Sequence, residues 1–262
     1  MQQQEQSYWW HISRRFILQT ILNRFRSLFL CHSELALTRH SSCDGWVEES
    51  RDPSTSLRMT NCKILDVGCG TGTNFEWLSK FGDVVGVEIS KTAVELAHHE
   101  GKVLWGRAED LPVEDGEFDL ITVFDVMEHL SDEVKAIKEW GRVLRPHGKL
   151  FIAVPAYQGL FGPHDRALEH YRRYSLRGLN KLLRQNSFHP IFSTYIFCLT
   201  FPLFLIQRWL AKRSSATKSQ YISVPSWVNN TLIGLGKIEA IWLKWFKFPF
   251  GSSIVILAKK DD

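Results

Sequence analysis

No two of the five cysteines, Cys31, Cys43, Cys62, Cys69 and Cys198, form a C-x-x-C pair, and their number is odd. That usage fits a reducing compartment. The chain also lacks a Lys/Arg block: 32 basic and 28 acidic residues leave a net charge of only +4. With no RNA- or DNA-binding motif either, a nucleic-acid partner is not expected. No apolar run reaches the ~18 to 20 residues of a membrane-spanning helix; the stretch from Ile191 to Ile206 is shorter and contains Pro202. The opening MQQQEQS has neither the basic nor the apolar region of a signal peptide, which points to the cytoplasm. Internal repeats are absent. What is there is a chain of 262 residues, 44% hydrophobic, able to bury a full core and near the upper size of one domain.

The stretch ILDVGCGTGTN, residues 64 to 74, joins an apolar strand to a helix whose apolar positions are Phe75, Trp77, Leu78 and Phe81. Glycines stand at 68, 70 and 72 between them. Such a turn brings backbone close to a ligand and presents helix N–H groups to it. A phosphate-binding P-loop would need Lys and then Ser or Thr after the last glycine, and Thr73 and Asn74 stand there instead. The dinucleotide fingerprint G-x-G-x-x-G would need a glycine at 73, which weakens that option.

DVGCGTG resembles the cofactor loop of Rossmann-like, class I S-adenosylmethionine-dependent methyltransferases. A ligand with an ammonium and a sulfonium suits a loop flanked by carboxylates: Asp66 precedes the glycines and Glu88 ends the second strand, 20 residues after Gly68. RAEDLPVEDGEFDLI and FDVMEHL are similar to later segments of the same family. The resemblance implies S-adenosylmethionine as cofactor, held by Asp66, Gly68, Cys69, Gly70, Gly72, Glu88, Ile89, Ala108, Glu109 and Asp125. Arg107 departs from the family's usual acidic or small residue, so Glu109 or the Ala108 backbone is the expected adenine contact.

Strands alternate with helices through VVGVEIS, VLWG, FDLITVF, KLFIAVP, a sixth strand near His189–Phe197 and a closing SIVILAKK. The expected fold is α/β: a mostly parallel seven-stranded sheet with helices on both faces, ligands gathering at the strands' carboxyl ends. An N-terminal helix (1–30) and a hydrophobic helical insertion (198–250) are added to a methyltransferase domain at 62–262. The helix, with Trp9, Ile12, Phe16, Ile17 and Ile21 interleaved with arginines, is expected either to close over the cofactor cleft or to pack plainly on the sheet. Residues 31–61 have no apolar period and read as a disordered insertion.

The segment 156–174, with HD...HYRRY, is the candidate acceptor loop. His164, Asp165, His170, Arg173 and Tyr174 in it, with His129 after the fourth strand, are the candidate catalytic groups: a His–Asp base, or arginines for an anionic acceptor. Bracing of the loop by its own ion pairs is the alternative. A His/Asp/His metal set lacks an evident third ligand, so no metal is expected. YWWH..RR, the core and HD...HYRRY together resemble a bacterial group of these methyltransferases.

Trp209, Trp242, Trp245, Phe246, Phe248 and Phe250, mixed with Lys212, Arg213, Lys244 and Lys247, suit a membrane interface, a lid over an apolar acceptor or a helical layer. The overall expectation is methyl transfer to a small-molecule or lipid-linked acceptor, in the cytoplasm with peripheral contact on the inner membrane face. An NAD(P)-dependent oxidoreductase and a non-catalytic cofactor-binding scaffold are the rival readings.

Overall fold

The computed structural model describes residues 9–27, 62–97, 102–213 and 225–261. The expected insertion at 31–61, and His98 and His99, lie outside the described residues. The elements are α1 (Trp9–Arg24), β1 (Lys63–Val67), α2 (Phe75–Leu78), β2 (Asp83–Glu88), α3 (Lys91–Leu96), β3 (Lys102–Trp105), β4 (Phe118–Phe124) and α4 (Glu133–Val143). There follow β5 (Leu144–Pro155), α5 (Pro163–Ala167), α6 (Leu176–Gln185), β6 (Phe188–Ile196), α7 (Phe201–Arg213), α8 (Ser226–Trp242) and β7 (Ser253–Lys260).

The seven strands form one sheet in the order β3-β2-β1-β4-β5-β7-β6. β3 to β5 run parallel, and β7 is antiparallel to both β5 and β6. The order reverses between β1 and β4, the point at which this topology places a ligand crevice, at the strands' carboxyl ends.

Strand residues alternate between two cores. Leu65, Val67, Ile121, Val123, Ile152 and Val154 face one layer, with Ile137 and Trp140 of α4 and Leu179 and Leu183 of α6. Ile64, Leu120, Phe151 and Val255 face the other, with Ile17, Leu18, Ile21 and Leu22 of α1 and Ala240 of α8. Each fully buried Ile or Leu contributes roughly 1.5–3 kcal/mol, so α1 is a structural layer of the domain as well as a neighbour of the crevice. It also packs along α8: the Trp9 N–H donates to Asn229 Oδ1 at 2.9 Å, Arg24 donates to the Leu243 carbonyl at 2.9 Å, and Gly236 makes room for Ser13.

Some local expectations shift. The helix after the glycine loop is a single turn, although Phe75, Trp77, Leu78 and Phe81 are all buried. Asp132, not Ser131, caps α4, accepting from the Lys135 N–H at 2.9 Å. RPHG does not separate that helix from the strand: β5 starts at Leu144 and bends through His147, whose φ is 61°. Leu96 of α3 is exposed, because α3 covers the sheet's outer edge.

Candidate active site at the carboxyl ends of the strands

The glycine loop wraps the end of β2: the Gly68 and Cys69 N–H groups both donate to the Val87 carbonyl, at 2.8 and 3.3 Å. Gly68, Gly70 and Gly72 all have positive φ, 69°, 56° and 83°, a conformation that costs other residues energy. At Gly68 a Cβ would stand 2.3 Å from Val126 Cγ2. At Gly70 nothing among the described residues lies within 4 Å of that point, so the loop's crest borders open space.

Glu88 holds this loop from the strand end. One carboxylate oxygen accepts from the Gly70 N–H and the other from the Ser90 N–H, both at 2.9 Å. Ile89, beside it, is 55% exposed, and its carbonyl accepts from Trp105 Nε1 at 2.9 Å. Ala108's carbonyl accepts from Trp140 Nε1 at 3.0 Å, and Glu109 pairs with Arg107 at 3.4 Å. Arg107 is therefore engaged by the neighbouring carboxylate, beside the expected adenine position.

Asp66 is buried under the loop, accepting from Thr122 Oγ1 at 2.6 Å and from Asn74 Nδ2 at 3.3 Å. Burial pushes its carboxyl up to about 6 against those hydrogen bonds. Its polar contacts tie β1, β4 and the loop together. Cys69 Sγ is buried against Gly86, with its thiol pushed up by burial out of reactive range.

Across the crevice Asp125, directly after β4, has φ 54° and pairs with Arg14 of α1. Arg14 also lies 4.8 Å over the Trp10 ring and 5.5 Å over Phe124. Its Nη2 is buried without a hydrogen-bond partner among the described residues. Neither the role of Arg14 nor the Thr122–Asp66 bond is legible in the local sequence. The RR of YWWH..RR was the only signal for the former, since helical spacing does not disclose which arginine crosses a crevice.

The HD...HYRRY segment is heavily braced. Asp165 is buried and accepts from Arg173 Nε and Nη2, both at 2.7 Å, from Arg208 Nη1 of α7 at 3.1 Å and from the Gly162 N–H at 2.8 Å, with His170 Nδ1 at 3.3 Å. Burial alone would raise its carboxyl, but His170 and the two arginines together hold it well below the usual range. The Tyr174 hydroxyl donates to Glu133 at 2.7 Å, with the Met127 carbonyl also in reach at 3.0 Å, and burial with the Glu133 bond raises its phenol. Arg172 joins Glu133 and the Leu130 and Ser131 carbonyls. Asp165, Arg173 and Tyr174 thus use their polar groups to brace the loop, both within itself and against α4 and α7.

The histidines are placed differently. The Tyr171 N–H donates to the Glu128 carbonyl at 2.7 Å, which sets the His170 ring 4.6 Å from that of His129, edge to face. His129 is held below its ordinary pKa by desolvation and then by His170, which favours the neutral imidazole. His164 is exposed on α5, lowered by partial desolvation and then by the Arg208 charge. Tyr157, at φ 62°, stacks on Tyr195 at 5.3 Å and meets Phe201 of α7 at 5.6 Å. α7 accordingly adjoins the acceptor side.

Residues 65–152 match the sequence profile of a methyltransferase domain. Over this segment the chain is similar to methyltransferase domains. A ubiquinone biosynthesis O-methyltransferase from Bartonella tribocorum is 32% identical over 153 residues, 55% of this chain and 58% of that one. The chloroplastic tocopherol O-methyltransferase of Arabidopsis thaliana is 37% identical over 109 residues, 37% of this chain and 31% of that one. The chain therefore spans less than two thirds of the length of either relative. The YcgJ protein of Bacillus subtilis shares the fold, with a TM-score of 0.51 and 20% identity over 77% of this chain and 93% of its own.

Class I methyltransferase domains use S-adenosylmethionine, and the site fits it. The open space over Gly70 admits a ligand, Glu88 has acceptor oxygens at the strand end, and the unsatisfied Arg14 Nη2 suits a carboxylate.

Proposed function

We propose that the chain transfers a methyl group from S-adenosylmethionine to a hydroxyl of an apolar or lipid-linked small molecule, at a membrane surface. The observation that carries the reading is Glu88, bonded to the Gly70 and Ser90 N–H groups beside the open crest of the loop. Its remaining lone pairs suit the two ribose hydroxyls, Ile89 supplies an apolar face for adenine, and Glu109 and the Ala108 backbone border that end. Asp66, Gly68, Cys69 and Gly72 shape the loop; Asp125 and Arg14 serve the amino-acid end. When bound, the cofactor supplies an electrophilic methyl group. The chain's own part is to orient the acceptor, exclude bulk water from the methyl group and assist loss of the acceptor's proton.

For the acceptor, the exposed apolar side chains of α7, α8 and the segment after α8 support the finer statement. Leu203, Ile206, Trp227, Ile241, Trp242, Trp245, Phe246 and Phe250 are 44–73% exposed. No helix among the described residues is long and apolar enough to cross a membrane, so such a surface suits a protein lying on the bilayer. Ubiquinone and tocopherol, named in two relatives, are apolar molecules, which agrees with this choice. We assign His129, His164 and His170 to the acceptor side.

Calorimetric titration with S-adenosylmethionine and, separately, NAD tests the cofactor: micromolar binding of the first alone is expected, and binding of NAD alone would defeat the reading. Methyl-labelled cofactor offered with a prenylated phenol and with the same phenol unprenylated tests the acceptor. Label should enter the prenylated compound preferentially; the reverse would remove the apolar acceptor.

A further inference from the structure

At the acceptor end of the crevice, Glu128, His129 and His170 present ligand atoms that all lie within 4.8 Å of one another. Glu128 is 1% exposed, and its Oε2 has no hydrogen-bond partner among the described residues. A buried carboxylate oxygen left unpaired is costly. Oε2 lacks a partner that a cation would supply.

We propose that Glu128, His129 and His170 form a binding site for a divalent transition-metal ion, which takes the acceptor hydroxyl on an open position. Two imidazoles and one carboxylate form a donor set suited to Zn²⁺, Mn²⁺ or Co²⁺ with coordination positions to spare. The supporting shell is in place. His170 Nδ1 faces the Asp165 carboxylate, leaving Nε2 for the ion, the arrangement that commonly orients metal-bound histidine. Asp165 is itself fixed by Arg173 and Arg208, and the backbone bond from Tyr171 to Glu128 clips His170 to the segment carrying the other two donors.

A four-coordinate ion with bonds of about 2.1 Å brings its donors to about 3.4 Å apart, so binding draws the three closer by small side-chain rotations, easiest at exposed His129. The bracing of the HD...HYRRY segment and the placing of His170 then have one purpose. A hydroxyl on the ion loses its proton to water at a lower pH; its oxygen would then form the bond to the methyl carbon as the sulfonium S–CH3 bond breaks, that bond's electron pair leaving on the sulfur of S-adenosylhomocysteine, so nothing is oxidised or reduced.

The ion's role rests on the methyl-transfer reading, but its binding does not, so the two are measured apart. The metal-stripped full chain, without cofactor, is titrated with Co²⁺ while visible absorption is followed, and Zn²⁺ is then added as competitor. One saturable equivalent is expected, weakened about 100-fold by His129→Ala or His170→Ala, while S-adenosylmethionine affinity stays within about 3-fold. No saturable binding, or binding unchanged in the double His variant, overturns the site. Should Glu128→Gln fail to fold, exposed His129 still decides. Methyl transfer to a phenol that survives chelation unchanged would overturn the ion's role while leaving the methyltransferase reading intact; metal binding without any methyl transfer would do the reverse.

Discussion

Gly68 and Gly70 share the same left-handed backbone but not the same surroundings, and that difference separates folding from binding at a single residue. Alanine at Gly70 meets open space, so its cost to the fold is conformational strain, about 1–2 kcal/mol. Alanine at Gly68 adds a collision with Val126, about 1–3 kcal/mol more. Thermal melting should rank Gly68→Ala well below Gly70→Ala, while calorimetry with S-adenosylmethionine should show Gly70→Ala weakened because its methyl enters the ligand's space. If Gly70→Ala binds the cofactor as the parent does, the loop does not border it. A similar separation holds for Arg173. Its removal leaves buried Asp165 with one arginine fewer, so Arg173→Ala should cost about 3 kcal/mol or more of stability. An Arg173→Ala protein that melts like the parent and loses only turnover would return Arg173 to direct contact with the acceptor.

Among the elements, α1 has two tasks that its periodicity alone could not separate. Ile17, Leu18, Ile21 and Leu22 are buried in the core against the sheet, whereas Arg14, on the same helix, reaches Asp125 across the crevice. Arg14→Ala should therefore spare most of the stability and weaken the cofactor by roughly 1.5–3 kcal/mol, the worth of a hydrogen bond to a charged group. Equal affinity in the variant and the parent would make the Arg14–Asp125 pair a structural clasp. α8 carries a different device. Glu239 is buried and accepts from the Phe197 and Leu199 N–H groups, yet burial pushes its carboxyl from 4.5 up to about 7. Between those pH values the folded chain keeps a proton that the unfolded chain has released, so stability falls as pH rises through that window, by about 3 kcal/mol. Melting curves from pH 5 to 7.5 should fall more steeply for the parent than for Glu239→Gln; parallel slopes would show that the site is solvated.

For the whole molecule, the exposed aromatics of α8 and the turn after it lie on one continuous stretch of chain, Trp242, Trp245 and Phe246 at 54%, 66% and 60% exposure. If the molecule rests on a bilayer by this surface, it should float with liposomes even at high salt, because the apolar part of the attraction is not screened. Replacing Trp242, Trp245 and Phe246 with Ser should abolish flotation without lowering the melting temperature, since none of the three is buried. Flotation that persists would place the contact elsewhere; a parent that stays in solution would leave the exposed residues as a lid edge.

Local sequence determined the strands, the glycine loop and its carboxylates, because each depends on neighbours within a few residues: ILDV alternates, Gly68 to Gly72 need positive φ, and Glu88 ends its strand on the same side. The segment HD...HYRRY was legible as a cluster but not as a circuit. Which of its charges brace the loop depends on Arg208 and Glu133, contributed by α7 and α4, and no spacing within the segment discloses such partners. Glu128 read as one acid in FDVMEHL until the fold buried it and brought His170, more than 40 residues away, to its side. Burial and long-range pairing are properties of the packed chain: they set which carboxylate is satisfied, which is left unpaired, and hence where chemistry has room to occur.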